Sequence, residues 1–543
     1  MNLSVSPISY SQYAFKGVKP AVATHDENNG WERVVSVYGD DVIRTKPAQL
    51  SLFHMHDFHG QNIRMERAYS VANQFDNNTL KHQNDMFDKN VPIDKLKLCS
   101  GDMFLGENIK DMEVVNEFLN ISGVIATALG NHECDSKTDD FLEVVKHRHY
   151  RILGANMHPD DNSKINQILS NSLIVESNGN RYGIIGLVPT DMQNHLKRPK
   201  DVQDFNISDI EDTKEDLEEE IEDLKRHGVN KIIILSHLGL EAEQYIAQNV
   251  SDIDIILGGH THHLLTEVRE GENLFKSPKG EPVLIMQVGR DGEYIGIPNI
   301  KFNELGQITE IQYNMVKTDD FTRDLVARLD FENILGKPEV VGKAKFVEEQ
   351  PKDIYANENP HCNIIVDCMR AELGTDIAVM NAANIRGKFY AGDIDTRDLR
   401  LISPFANKVA IIKASEKEIV DAINGLLKSS MSSPVHRPGI LQVSGLKYEY
   451  SKSQGKMTKL TFIDKSGNEH QIDLENPRTD KMYTLAADDY CIQSKKSGLN
   501  LKHRLEQALK IYDCDKDEIV AEHLRKHSEP IEIKSDGRIK VAD

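Results

Sequence analysis

The chain runs to 543 residues, past the size at which one hydrophobic core keeps growing, so two or more domains are expected. Its 86 Asp and Glu outnumber 65 Lys and Arg, and the net charge of -21 repels nucleic-acid polymers and anionic membrane surfaces. A small phosphorylated substrate stays compatible with that balance, because a bound dication concentrates positive charge at one point.

Six scattered cysteines with no CxxC pair suggest no disulfide framework. The N-terminus lacks the basic start and apolar run of a secretory signal, and no long apolar stretch offers a transmembrane helix. Together these features point to a cytoplasmic setting. They leave the oligomeric state open.

Residues 1–48 are polar and aperiodic and read as an N-terminal extension. From Leu50 onward, apolar runs each end in a polar cluster: "LSLFHMHDFHG", "LKLCSGD", "VIATALGNHE", "KIIILSHLG" and "DIDIILGGHTHH". Each has the form of a buried strand running into a loop. Between them, Ile207 to Gly228 has Leu and Ile at helical spacing, with its acidic run on the solvated face. Strands alternating with helices predict an α/β domain over 49–317, with ligands gathered at the carboxyl ends of the strands. Residues 318–338 read as a linker helix. From 339 to 543, short alternating strands mix with helices such as Glu416 to Lys428, which predicts a second, α+β domain.

The strand-end clusters hold Asp57 and His59, Asp102, Asn131 and His132, His237, and His260 and His262. Carboxylates, imidazoles and one amide oxygen are what two borderline divalent cations need, with one carboxylate shared. Alternation along an extended segment lets D-x-H and H-x-H each present two ligands on one face. A single histidine in a loop is more often packing than ligand. The order of all five clusters, each after an apolar strand, is what carries weight.

That ordered series resembles the calcineurin-like metallophosphatase superfamily, with its D-x-H, GD, GNH-E/D, H and GH-x-H motifs. The resemblance implies a four-layer β-sandwich flanked by helices. It implies that Asp57, His59, Asp102 and His262 hold one metal and that Asp102, Asn131, His237 and His260 hold the other. The metals would be Zn, Mn, Co or Fe. His132 would face the phosphate, with Asp135 orienting its imidazole, while a metal-activated water attacks phosphorus in line. Glu133 reads as structural and Cys134 as a small buried apolar residue.

The segments "NAANIRG", "SPFANKVAIIKAS", "LQVSGLKYEY" and "EPIEIKSDGRI" resemble, in order, the C-terminal substrate-binding domain of the 5'-nucleotidases. That family includes UDP-sugar hydrolases and 2',3'-cyclic phosphodiesterases, and the likeness spans Leu50 to Val541. It implies that Asn381 and Arg386 contact substrate and that Phe405 stacks on the base. The chain departs from the family at Ala383 and Asn384, which replace glycines, and at His56, where Asn is usual. In Asp488 to Asn500 the GGDG segment is missing and Leu499 falls near the expected second ring.

The expectation is a dimetal phosphoesterase acting on a small phosphorylated substrate, foremost nucleoside 5'-monophosphates. The alternatives are a phosphodiesterase or nucleotide-sugar pyrophosphatase, a phosphatase for a non-nucleotide ester and, from another class, a noncatalytic binding protein.

Overall fold

The computed structural model describes residues 46–195, 204–403, 407–527 and 529–543, with backbone strands Ala21–Asp26 and Gly30–Glu32 beside them. Two compact units divide the chain, Met1–Gly336 and Lys337–Asp543.

In the first unit the five apolar runs form strands β1 (Ala48–Met55), β2 (Ile93–Cys99), β3 (Ala126–Ala128), β4 (Ile232–Ser236) and β5 (Ile255–Leu257). β1 to β3 lie adjacent and parallel in one sheet, and β4 and β5 lie parallel in the other. Parallel pairing brings the loops after β1, β2 and β3 to one end of their sheet and those after β4 and β5 to one end of theirs.

Side chains alternate between two cores. Leu50, Leu52, Leu96 and Leu98 meet Ile233, Leu235, Ile255 and Leu257 between the sheets. On the outer face of the first sheet, Phe53, Met55 and Cys99 pack with Val71 and Phe75 of the helix Asn62–Asp76 and with Val115 and Phe118 of Ile109–Ile121. On the outer face of the second, Ile232, Ile234 and Ile256 pack with Leu217, Ile221 and Leu224 of Ile210–Arg226. Both faces of each strand are apolar, which is why the runs read as continuous rather than alternating. The result is the expected four-layer sandwich.

The acidic helix starts where the Asp209 side chain accepts from the backbone N–H groups of Glu211 and Asp212. Each of its three buried aliphatic residues contributes roughly 1.5–3 kcal/mol by leaving water.

The segment expected to connect the domains forms a short turn, Thr318–Asp320, and a helix, Leu325–Leu335, capped by the Asp324 side chain. Ala327 and Phe331 are fully buried in the first unit's core, and Arg323 pairs with the buried Glu66. This helix belongs to the first unit by its packing, and the division follows it at Gly336.

The second unit is built on a five-stranded sheet in the order Leu441–Ser444, Ile377–Asn381, Met482–Asp488, Val409–Ser415, Lys510–Ile511. Ile377, Val379, Ile412 and Leu485 pack with the helix Glu416–Met431, whose Ser415 and Glu418 form a capping box. Ala378, Met380 and Ala486 pack with the helices Pro360–Leu373 and Lys516–Lys526. Among the described residues no helix is long and apolar enough to cross a membrane. All six cysteines are unpaired.

Candidate active site

The loops after β1 and β2 are zipped together by backbone bonds: Asp57 N to Gly101 O at 3.0 Å, His59 N to Asp102 O at 3.1 Å and Gly60 N to Met103 O at 2.9 Å. Asp57, His59 and Asp102 all adopt left-handed backbone, with φ of 51°, 48° and 51°. His260 and His262 do the same at 72° and 60°. Non-glycine residues there cost of order 1–3 kcal/mol each, and such clusters mark functional sites.

Close approach sets the glycines around them. A Cβ on Gly130 would lie 2.2 Å from Asp102 Oδ1, and one on Gly259 would lie 2.9 Å from His237 Nδ1. Glu133 clamps the same loops, its carboxylate accepting from the backbone N–H groups of Gly130, Asp102 and Met103 at 2.8–3.0 Å. Burial and the neighbouring Asp102 push that carboxyl up to about 7.

Three groups of ligand-type atoms converge, each with its atoms within 4.8 Å of one another: Asp57, His59 and His262; His59, Asp102 and His132; and Asp102, His237 and His260. Asp102 belongs to two of them. Asn131 completes the set by chain position, and its Oδ1 is buried without a hydrogen-bond partner.

The donor set fits divalent cations on its own chemistry. His237 Nδ1 lies 2.6 Å from the Ser100 carbonyl, which only accepts, so that nitrogen carries the proton. In the neutral ring Nε2 is then a lone pair facing Asp102 Oδ2 at 3.0 Å. Two acceptors that close need a metal cation or a proton between them. Without a metal cation, His237, opposed by burial, is lifted to about 10 by Asp102 and Asp57, and His59, likewise opposed by burial, is lifted to about 9 by Asp102 and Asp291. Burial and the neighbouring His237 push His260 down to about 4. Despite their own burial, the histidines hold Asp57 and Asp102 well below the usual carboxylate range.

His132 stands slightly apart, with 26% of its side chain exposed and Nδ1 2.9 Å from Asp135 Oδ2. The same Asp135 oxygen accepts from Gly106 N at 2.8 Å, which fixes the carboxylate.

Residues 51–264 match the family model for calcineurin-like phosphoesterases, and residues 340–503 match the model for the 5'-nucleotidase C-terminal domain. The chain belongs to the 5'-nucleotidase family of calcineurin-like metallophosphatases. It is 25% identical over 555 residues to a 5'-nucleotidase-related protein of Glossina morsitans morsitans, covering 94% of this chain and 96% of that one. It is 27% identical over 417 residues to a snake venom 5'-nucleotidase of Gloydius brevicauda, covering 68% and 67%. In fold it is similar to the 5'-nucleotidase precursor of Thermus thermophilus, with a TM-score of 0.63 at 22% identity over 91% of this chain and 99% of that one. Membership carries metal-dependent hydrolysis of phosphate esters, and the family implies divalent cations.

Of the residues expected to contact substrate in the second unit, Asn381 is fully buried. Its amide donates to Ser497 O at 2.6 Å and its oxygen accepts from Ala383 N at 2.6 Å, so its polar groups hold a turn together. Arg386 is half-buried and donates its backbone N–H to Ile402 O at 2.7 Å. Phe405 lies outside the described residues.

Sequence reasoning missed Asp291, whose Oδ1 sits 2.9 Å from His59 Nδ1, and Glu243, which receives Gly259 N and the Gln287 amide beneath the GGH loop. A signal for Asp291 existed. "LIMQVGRDG" is a sixth apolar strand running into a polar, glycine-bounded loop.

Proposed function

We propose that the chain is a dimetal phosphoesterase whose foremost substrates are nucleoside 5'-monophosphates. In this reading Asp57, His59, Asp102 and His262 hold one cation, and Asp102, Asn131, His237 and His260 hold the other, with Asp102 shared. The observation that carries it is His237 Nε2 set 3.0 Å from Asp102 Oδ2 while its Nδ1 is taken by the Ser100 carbonyl, so that Nε2 and the carboxylate face one another as ligand atoms. When bound, the cations supply Lewis acidity that polarises the phosphoryl oxygens and makes a water nucleophilic at neutral pH.

The chain's own residues do the rest. The Asp135 carboxylate holds His132 by Nδ1, so Nε2 is the nitrogen left for substrate. In its imidazolium form His132 donates through Nε2 to the charge developing on the phosphoryl group and delivers that proton to the leaving oxygen. Selection among esters falls to the second unit, where Arg386 and Phe405 are the proposed contacts and Asn381 acts by holding the Ala382–Asn384 turn.

One observation favours a second reading, a phosphatase for a non-nucleotide ester. Leu499 lies in the second unit's core with 4% of its surface exposed, so it offers no stacking face for a base. Protein stripped of metal and reloaded with Mn2+, Zn2+ or Co2+ distinguishes the readings when given AMP, a 2',3'-cyclic nucleotide, UDP-glucose and a sugar phosphate. Rapid phosphate release from AMP supports the first. Inert AMP beside turnover of the sugar phosphate supports the second, and no hydrolysis product from any of the four with any metal overturns both.

A further inference from the structure

Both ligands of the D-x-H motif are held from behind by one stretch of chain far away in sequence. Val288 N donates to His56 Nε2 at 2.8 Å. A backbone N–H only donates, so Nε2 carries the lone pair and the proton of the neutral ring sits on Nδ1. That nitrogen lies 2.5 Å from Asp57 Oδ2, which also accepts from His260 N at 2.9 Å. With Oδ2 occupied twice, Oδ1 is the atom that faces His262 Nε2 at 3.1 Å, His59 Nε2 at 3.5 Å and His237 Nε2 at 3.9 Å.

Three residues further on, Asp291 does the same for the second ligand. Its N–H donates to Asp57 O at 2.6 Å, and its Oδ1 takes His59 Nδ1 at 2.9 Å, which leaves His59 Nε2 for the centre. Asp291 is 5% exposed and held in left-handed backbone at φ 54°, with Arg64 Nη1 donating to its carbonyl at 2.8 Å and Arg290 beside its other oxygen at 3.4 Å.

We infer that Val288 to Asp291 is a template for the D-x-H pair, with His56 and Asp291 as positioning residues that choose which oxygen of Asp57 and which nitrogen of His59 meet the metal. The inference rests on the dimetal reading. Partners of this kind are worth about 10–100-fold in metal affinity when removed.

The two amides that imitate an imidazole separate positioning from packing. In His56→Asn the amide nitrogen takes the place of Nδ1 and keeps the donor to Asp57. In His56→Gln the amide group takes the place of Nε2, keeping the link to Val288 and losing the donor. Mn2+ dissociation constants, read by calorimetry and by electron paramagnetic resonance of free Mn2+, are expected near wild type for His56→Asn and about tenfold or more weaker for His56→Gln. Asp291→Asn, which keeps an acceptor oxygen for His59, is expected to bind more tightly than Asp291→Ala, and this pair carries the test if a His56 variant fails to fold. Equal affinities across wild type, both His56 variants and both Asp291 variants overturn the template while leaving the dimetal reading standing. Wild type that retains no Mn2+ overturns the dimetal reading and the template with it.

Discussion

The loops of the first unit and those of the second are incomplete to different degrees. Around the strand ends, five expected ligands sit in left-handed backbone, and buried atoms such as Asn131 Oδ1 and His237 Nε2 have no hydrogen bond. In the second unit, Asn381 has ordinary extended backbone at φ -75° and both of its polar groups are matched. Below it, Asn384 and Lys516 both donate to the buried Asp488. The ligand loops of the first unit are strained and leave ligand-type atoms unmatched, whereas the Asn381 turn of the second is satisfied as folded. In the proposed reading the chemistry belongs to the first unit's framework, and substrate choice to the loops of the second.

The largest effect should follow from removing the residue the first unit cannot replace. Asp102→Ala is expected to lower phosphate release by roughly a thousandfold or more and to reduce bound metal, measured by elemental analysis beside the assay. His132→Ala should cost about 10²–10⁴ in kcat with metal content unchanged. A loss of metal in that variant would place His132 among the ligands, since its ring also lies within 4.8 Å of His59 and Asp102 ligand atoms. Asn381→Ala should act on the other side of the comparison. It is expected to lower unfolding stability by about 1–2 kcal/mol while leaving KM near wild type. A raised KM with unchanged stability would assign Asn381 to substrate contact and break the contrast between the units.

How much of this was legible depended on what makes a residue stand out in one dimension. The strand ends showed because strands buried on both faces read as unbroken apolar runs, and because D-x-H and H-x-H have chelating spacing. The helix Ile210–Arg226 matched its periodicity to within three residues of the expected Ile207 start. Asp291 escaped because a lone aspartate between arginine and glycine has no such spacing, and its partner His59 lies 232 positions away. The segment before Gly336 was legible as a helix. Periodicity reveals that a helix has an apolar face, whereas only packing reveals that Ala327 and Phe331 bury it in the first unit. His56 showed its place in the motif without its tautomer, which is set by the N–H of Val288.

The smallest effect expected is a pH dependence that separates the two states of the metal site. In the metal-free chain His237 and His59 sit at about 10 and about 9, above the ordinary imidazole value. A raised folded-state value means that their pairing with Asp57 and Asp102 is fully present below about pH 6.5 and is lost as pH rises through 9 and 10. The two aspartates are depressed, so their contribution is present above the ordinary carboxylate range and does not fade over that alkaline window. Metal-free protein should therefore lose thermal stability between pH 7 and 10. Metal-loaded protein keeps these imidazoles neutral as ligands, so its melting temperature should hold across the same window, and the gain from metal should widen as pH rises. Melting curves at matched ionic strength, with chelator and with Mn2+, read this directly. Parallel curves would mean that these imidazoles do not carry the site's charge. The first unit would then be as complete without a cation as the second.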